Sequence, residues 1–423
     1  MSVTSRRRFL GWGAAGAGSM AVMGGLGALL EGLEGPPAGG SAAGPGSGPS
    51  VPAPTDRRVL VVVELEGGND GLSTVVPVED GAYHDLRPTV ALDGDDVVPW
   101  TDGWALHYHL APLAPRGLAA LHGVGSHQPD LSHFEMQARW WAGRPEGGDP
   151  GTGFLGRLCD RLGGPPDDPD APLLVGVSVG AAPSAALRSE QSPTASMAGP
   201  DGLGLLAGDD EAARSARRCL ERLAGWGPGD EVLGAPRRGL AGVLRIADLL
   251  AGLDPVPEER FGGHDFARQL GFAAQLVAAD AGVRVVHVPM AGGAFDTHTG
   301  HRDAHERNME LLGTGLVAFL DHLDQLGLAD RVLVATTSEF GRRADEHDGG
   351  LDHGTASTAL VCGPVVTGAH GEPPSLRHLD DDGNLRATVG FDRYQATMAA
   401  WLGIDPAEVL GDGVEAVEGL LLD

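Results

Sequence analysis

The chain contains no lysine, and all 30 of its basic residues are arginines. That absence excludes a Walker A nucleotide-binding loop, a pyridoxal Schiff base and a lysine nucleophile, because each of them needs an ε-amine. The arginines are outnumbered by 58 aspartates and glutamates, which gives a formal net charge of −28. Since phosphate binding depends on a basic protein surface, this charge argues against a nucleic-acid partner.

Cysteine is also scarce. The three cysteines, Cys159, Cys219 and Cys362, lie far apart, and none belongs to a CxxC pair. A zinc ribbon, a thioredoxin motif and an iron-sulfur cluster motif are therefore excluded. At most one disulfide can form.

The first 30 residues carry an export signature. Residues 5–10 read Ser-Arg-Arg-Arg-Phe-Leu, and an uncharged stretch rich in glycine and alanine follows through residue 30. This resembles a twin-arginine translocation signal. A membrane-anchoring helix is the alternative, but it needs ~20 strongly apolar residues and this stretch is diluted by glycine, so no stable membrane span is expected. We expect export through the twin-arginine translocase, as a folded protein, to the periplasm or the extracellular space.

The export segment is followed by a linker and then by one large domain. In residues 31–55, 7 glycines and 6 prolines leave too little apolar surface for a core, which predicts a disordered linker. Residues 56–423 are long enough to form a single α/β domain with a substantial core. Within it, the helical patterns between about 205 and 280 are candidates for a lid or side subdomain.

Short β-branched runs alternate with longer helical patterns along this domain. Apolar runs predict strands at 59–65, 118–124, 172–179, 283–290, 331–337 and 358–366. Apolar residues at three-and-four spacing predict helices at 211–224, 238–253, 265–281 and 302–326. The alternation predicts an α/β fold with a doubly wound, mostly parallel sheet and helices on both faces.

Acidic residues and histidines adjoin the predicted strands. They are Asp70 after 59–65, Asp296, His298 and His301 after 283–290, Glu339 after 331–337, and His353 before 358–366. Ligands of parallel sheets bind beyond the carboxyl ends of the strands, so we expect these side chains to converge. Carboxylates with imidazoles predict a divalent metal ion, such as Zn, Mn, Mg or Ca.

Each residue also has a simpler interpretation when taken alone. Asn69-Asp70-Gly71 is a turn signal, and Glu339 could pair with Arg342. The histidines could be hydrogen-bonded structural residues. The metal hypothesis depends on their joint occurrence.

Five ordered motifs across residues 57–404 carry a family resemblance. They are Leu65-Glu66-Gly67-Gly68-Asn69-Asp70-Gly71-Leu72, Ser132-His133-Phe134, Gly293-Ala294-Phe295-Asp296-Thr297-His298, Ser338-Glu339-Phe340-Gly341-Arg342 and Asp352-His353-Gly354. Together they resemble the DUF1501 family of exported bacterial proteins. That family is itself similar to the alkaline phosphatase and sulfatase superfamily, which implies an alkaline-phosphatase-like sheet holding one or two metals and a nucleophile.

The resemblance implies roles for particular residues. Asp70 matches the ligand after the first strand, Asp296 with His298 matches the later Asp and His ligands, and His353 matches the last histidine. Because the Asp296 to His298 spacing is shorter than the phosphatase pattern, His301 is a rival ligand.

Two further positions distinguish an enzyme from a binding protein. Ser132 falls near the nucleophile position at a helix start, and its alternative role is an N-cap. Glu339 stands for the first member of a metal-binding pair, whose second position is occupied here by Phe340, a residue that cannot bind a metal.

The resulting functional prediction is a metal-dependent hydrolase of phosphate or sulfate esters, acting on a small-molecule or polymer substrate. The alternative is a non-catalytic extracytoplasmic binding or envelope-assembly protein with a degenerate metal site.

One competing motif is Gly-x-Ser-x-Gly at residues 176–180, the pattern of a hydrolase nucleophile elbow. An elbow leads directly into a long helix, whereas the residues that follow are interrupted by proline. A buried strand of small residues explains the motif better.

Overall fold

The computed structural model describes residues 58–101, 103–164, 171–180, 182–199, 211–225, 231–256, 258–261 and 263–422. The predicted signal at 1–30 and the linker at 31–55 lie outside these residues. Among the described helices, none has the length and apolar character needed to cross a membrane.

A large sheet organises the described part of the chain. Its spatial order is β11-β5-β10-β9-β1-β8-β6-β7, and β12 pairs with β5. The strands are β1 (Val59–Leu65), β5 (Leu118–Gly125), β6 (Gly176–Val179), β7 (Thr194–Met197), β8 (Val285–Met290), β9 (Val332–Thr337), β10 (Ala356–Cys362), β11 (Gly368–His370) and β12 (Val389–Gly390). Among these strands only β10 runs antiparallel to its neighbours.

A smaller sheet lies beside the first, with the order β2-β4-β3. Its antiparallel strands are β2 (Val75–Val76), β3 (Val97–Thr101) and β4 (Trp104–His107).

Four of the described α-helices overlap the four helices predicted from the sequence. The described α-helices are α1 (Gly71–Thr74), α2 (Gly81–Leu86), α3 (His133–Ala142), α4 (Phe154–Leu162), α5 (Glu211–Ala224), α6 (Glu231–Ala251), α7 (Glu258–Phe261), α8 (Asp265–Ala278), α9 (His301–Gln325), α10 (Phe391–Trp401) and α11 (Ala407–Leu410). In the region suggested as a lid, α8 packs into the main core through buried Phe266 and Leu270. The lid hypothesis for the helices before it stays a prediction.

Strand β1 shows why both faces of the large sheet are covered. All seven of its side chains are buried, and the six apolar ones alternate between two apolar clusters. Val61 and Val63 point into the cluster formed with α8 and α9, whereas Leu60 and Val62 point into the one formed with α3, α4 and α10. The predicted α/β fold with a doubly wound, mostly parallel sheet is confirmed.

Candidate metal centre

The candidate site lies at one edge of the large sheet. The carboxyl ends of β1, β5, β8 and β9 meet there, because these strands run parallel to one another. Since β10 runs the opposite way, the loop before it, which carries His353, reaches the same edge. Four segments far apart in sequence therefore contribute to one site.

The first two imidazoles of the site belong to His133 and His353. His133 Nδ1 lies 2.7 Å from Glu339 Oε1, and His353 Nδ1 lies 2.8 Å from the carbonyl oxygen of Leu131. Because each partner can only accept, each Nδ1 carries the proton and each neutral ring keeps its lone pair on Nε2. The Phe340 ring packs against both imidazoles, with centroids 4.8 and 4.6 Å away.

The Asp296 carboxylate lies where these imidazoles meet. Its Oδ1 is 3.1 Å from His353 Nε2 and 3.0 Å from His298 Nε2, and its Oδ2 is 3.5 Å from His133 Nε2. One ligand atom from each of His133, Asp296 and His353 lies within 4.8 Å of the others. This is a spacing at which a single ion can contact all three.

His298 adds a third imidazole in the same orientation. Its Nδ1 lies 2.9 Å from Asp352 Oδ1, and its Nε2 lies 3.0 Å from His353 Nε2. Two neutral imidazoles at that separation direct lone pairs at each other, so a proton or a cation between them is needed for a favourable contact. The His298 side chain is 44% exposed, which leaves this side of the site open to solvent.

The position of Asp296 is fixed by Arg342, which is fully buried. One guanidinium nitrogen donates to Asp296 Oδ1 at 2.7 Å and to the carbonyl of Phe295 at 3.0 Å. The remaining donors bind the carbonyls of Gly68 and Leu351, each at 2.9 Å. Arg342 therefore fixes Asp296 relative to the loops that carry Gly68, Phe295 and Leu351.

The protonation states are compatible with metal binding. Burial would raise the pKa of Asp296, but the hydrogen bond and the positive charge of Arg342 outweigh it and lower that pKa to about 2. Burial lowers the pKa of His353, whereas the hydrogen bond to Glu339 raises the pKa of His133. At neutral pH, Asp296 is thus ionised and His353 is neutral.

Glu339 lies behind His133. Besides His133 Nδ1, its Oε1 accepts a hydrogen bond of 2.8 Å from the backbone of Gly67, and the residue is only 4% exposed. This places Glu339 where it can orient an imidazole ligand, rather than where it faces Asp296 directly.

Asp70 and His301 belong to a second, buried group. The Arg87 guanidinium binds both carboxylate oxygens of Asp70, at 2.6 and 2.9 Å, and His301 Nε2 lies 3.2 Å from Asp70 Oδ2. Although burial acts to raise the pKa of Asp70, Arg87 and His301 hold it well below its usual range. The ionic partner of Asp70 is thus an arginine, and its metal ligation stays a prediction.

The two groups meet along one short segment. Asp296 and His298 contribute to the open site, whereas Thr297 between them lies 2.7 Å, through its Oγ1, from Nδ1 of buried His301. Neighbouring residues of this loop therefore contribute to two different environments.

Ser132 stands at the N-terminal end of α3, directly before His133. It is exposed, its backbone N–H donates to Asp130 Oδ1 at 2.8 Å, and its side chain makes no capping hydrogen bond. The predicted position at a helix start is therefore observed, while a nucleophilic role stays a prediction.

Two residues of these groups were not predicted as site residues from the sequence. His133 was recognised only as part of a motif, and its signal is its position at a helix start after β5. Arg87 was not identified, because nothing in a sequence marks which arginine faces Asp70.

The Gly-x-Ser-x-Gly segment forms a buried hydrogen-bond chain instead of an elbow. Ser178 lies within β6 and is 1% exposed. Its Oγ is 2.9 Å from His287 Nδ1, and His287 Nε2 is 2.8 Å from Glu64 Oε2. In the described residues after β6, the first helical element is a single 3₁₀ turn at Ala185–Leu187. Ser178 is therefore a buried strand residue.

Residues 252–414 match the family model DUF1501, described as a protein of unknown function. The predicted resemblance to DUF1501 is confirmed. The DUF1501 match contains Asp296, His298, His301, Glu339 and His353, whereas Asp70, Ser132 and His133 precede it. No curated protein matches the chain.

Solved structures similar to this chain include three with distant sequences. A 2-O GAG sulfatase has 9% identity and a TM-score of 0.39, covering 86% of this chain and 76% of its own. A phosphonate monoester hydrolase from Silicibacter pomeroyi has 13% identity and a TM-score of 0.34, with coverages of 85% and 76%. An alkaline phosphatase superfamily protein from Vibrio parahaemolyticus has 10% identity and a TM-score of 0.35, with coverages of 84% and 69%. At these TM-scores the similarity supports no statement about the site.

Proposed function

We propose that this protein binds a divalent metal ion through His133, Asp296, His298 and His353, and that the centre hydrolyses phosphate or sulfate esters of a small molecule or polymer. One observation carries the proposal. Three imidazoles have their Nδ1 atoms engaged by acceptors and their Nε2 atoms directed at a single carboxylate. Such outer hydrogen bonds are typical of histidines that ligate metals, because they fix the tautomer and the ring orientation.

The fit to a cation is supported by His133. Its Nε2 is buried and makes no hydrogen bond with any described residue, which is costly unless another partner is supplied. Three imidazoles and one carboxylate are donors that suit Zn²⁺ or Mn²⁺ better than Mg²⁺ or Ca²⁺, which prefer oxygen ligands. We therefore propose a transition-metal centre.

The chain's own residues support hydrolytic use of this centre. A bound divalent ion supplies a Lewis acid for an anionic ester oxygen. Glu339 keeps the proton of His133 on Nδ1, and Arg342 holds Asp296 in place. The open side at His298 gives a substrate access, and the exposed Ser132 beside His133 is the proposed nucleophile.

Metal binding is tested with His133→Ala and a matched control, His378→Ala. His378 is exposed, and the hydrogen bond recorded for it is from its backbone to Ser375, so its imidazole is dispensable. Purified full-length protein is dialysed against Zn²⁺ or Mn²⁺, and bound metal is measured by mass spectrometry. We expect about one ion per chain in the parent and the control, and loss of it in His133→Ala. Equal metal content in all three proteins would contradict the proposed site.

Hydrolysis is tested with phosphate and sulfate monoesters on the metal-loaded protein. We expect turnover that a chelator abolishes and the metal restores. Ser132→Ala should then remove turnover while leaving metal content unchanged, because the hydroxyl would act in the transition state and not in metal binding. Turnover that survives in Ser132→Ala would show that the hydroxyl is not the nucleophile.

The alternative function is a binding or envelope-assembly protein. Phe340 favours it, because this apolar ring packs on two of the proposed ligands at the position where the superfamily pattern implies a second ligand. One bound ion per chain without hydrolysis of any ester would support this alternative.

We also propose that the protein is exported by the twin-arginine route. Replacing Arg6 and Arg7 with lysine should stop export, because the translocase recognises that pair. The measurement is the fraction of protein outside the cytoplasm, and undiminished export through the same route would contradict it.

A further inference from the structure

A cavity of about 510 Å³ lies between the small sheet, α1 and the start of β10. None of the four proposed metal ligands lines it. Its volume falls within the ~300–1,000 Å³ typical of sites for small organic ligands. The walls include Leu72, Trp104, His122, Thr358, Leu376 and Arg377.

His122 forms an unusual part of this wall. It is only 2% exposed, its Nδ1 lies 3.1 Å from Thr358 Oγ1, and its Nε2 has no hydrogen-bond partner within the described part of the chain. Burial lowers the pKa of His122 to about 4, so the ring is neutral at pH 7. An unpaired buried nitrogen is costly, and a polar group of a ligand would relieve that cost.

The neighbouring wall is aromatic. The Trp104 ring lies on His122, with centroids 4.1 Å apart and planes inclined at 32°. Trp104 is half-buried, and Pro373 and Pro374 also line the cavity. These rings offer flat apolar surfaces next to the polar nitrogen of His122.

The rim carries charges that nearly cancel. Arg377 binds both oxygens of Asp80, at 2.7 and 3.0 Å, so neither charge is free to attract an ion strongly. Glu79 also lines the cavity and is exposed. The residual negative charge disfavours phosphate and sulfate groups here, in contrast to the proposed chemistry of the metal centre.

We propose that this cavity binds a neutral sugar ring. The C–H face of a pyranose would pack on Trp104, while its hydroxyls would bond to His122 Nε2 and to the Asp80–Arg377 pair. A hydroxylated ring matches the flat apolar surface with polar groups at its edges. The proposal does not depend on the metal centre.

The test uses the full-length protein with neutral probes. Glucose, galactose, N-acetylglucosamine and their disaccharides are screened by saturation-transfer NMR, and a positive probe is titrated by calorimetry. We expect millimolar or tighter binding, weakened at least tenfold by Trp104→Ala and severalfold by Arg377→Ala. The matched control is Arg116→Ala, which removes another surface arginine–aspartate pair, with Asp321, away from the cavity.

Circular dichroism confirms that each variant is folded. Binding should persist in Asp296→Asn, which separates this proposal from the proposed metal function. Three outcomes would overturn the sugar assignment: no probe binds the folded parent, binding is unchanged in folded Trp104→Ala, or tetramethylammonium binds through Trp104 while the sugars do not.

Discussion

Two aspartate–histidine groups lie side by side in this protein, and they are built for opposite purposes. Asp296 has one oxygen on Arg342, and its side chain is 36% exposed among three imidazoles. Asp70 has both oxygens on Arg87, and both partners are almost completely buried. The same residue types therefore form an open, unsaturated group and a closed, neutralised one.

This difference makes Asp296, whose charge is only partly compensated, the better candidate for a metal ligand than Asp70. A bidentate arginine satisfies a carboxylate in geometry and in charge. Arg342 instead binds only one oxygen of Asp296, whereas Arg87 binds both oxygens of Asp70. The following substitutions break or sharpen this contrast.

The largest effect is expected for Asp70→Asn. The substitution leaves Arg87 as an unpaired buried charge, and removing one partner of such a pair costs ~3–5 kcal/mol in the free energy of unfolding. Urea denaturation measures the loss. In Asp321→Asn, which breaks an exposed pair with Arg116, the loss should be at most ~1 kcal/mol. Equal small losses in both variants would remove the structural role assigned to Asp70.

Asp296→Asn should act on metal affinity. It removes the only carboxylate among the four proposed ligands, so we expect metal affinity to fall at least ~100-fold, beyond the effect typical of outer residues. Chelator competition measures this affinity. The free energy of unfolding should fall less than in Asp70→Asn, because Arg342 keeps its carbonyl partners. Unchanged affinity would show that Asp296 is not a ligand.

Glu339→Gln tests whether Glu339 orients His133, and its expected effect on metal affinity is smaller. The neutral amide holds the His133 tautomer less firmly, and loss of such a partner typically lowers metal affinity ~10–100-fold. The control is Glu135→Gln, which removes an exposed i,i+4 pair with Arg139 on the same helix as His133. If both variants bind the metal as tightly as the parent, Glu339 has no orienting role.

The smallest expected effect is a difference in pH dependence between the Asp296 group and the Asp70 group. Histidines must lose their protons to bind a metal, so metal affinity should fall by up to ~10-fold per pH unit for each proton taken up. The contribution of Asp70 to stability is present above the ordinary carboxyl pKa of ~3.8, and it is lost as pH falls through the lower folded value. Parallel titrations of bound metal and ellipticity should therefore show metal release at higher pH than unfolding. Coincident transitions would contradict this order.

Much of this arrangement was accessible from the sequence, because strand ends determine which loops meet. Asp296, His298 and Glu339 were placed at one edge of the sheet by that reasoning, and His353 was grouped with them although it precedes a strand. The structure brings all four together. The pairing of Asp70 with Arg87 depends on packing in three dimensions, which no local pattern encodes.

The direction of β10 was also missed, and its cause is physical. Parallel neighbours need a crossover, usually helical, to return the chain to the starting edge. Residues 338–355, between β9 and β10, contain no described helix and stay at the site edge. The chain can then enter β10 only in the reverse direction, which delivers His353 to the site.

The long separation of the proposed ligands along the chain has a consequence for the order of assembly. His133 and His353 are 353 − 133 = 220 residues apart, and the central strand β1 precedes both. Contacts at such separations close a large loop and form slowly. A nascent chain that ends before His353 lacks one of the proposed ligands, so binding of the proposed ion would follow synthesis of that residue. An ion that binds only the finished fold also draws the folding equilibrium toward it.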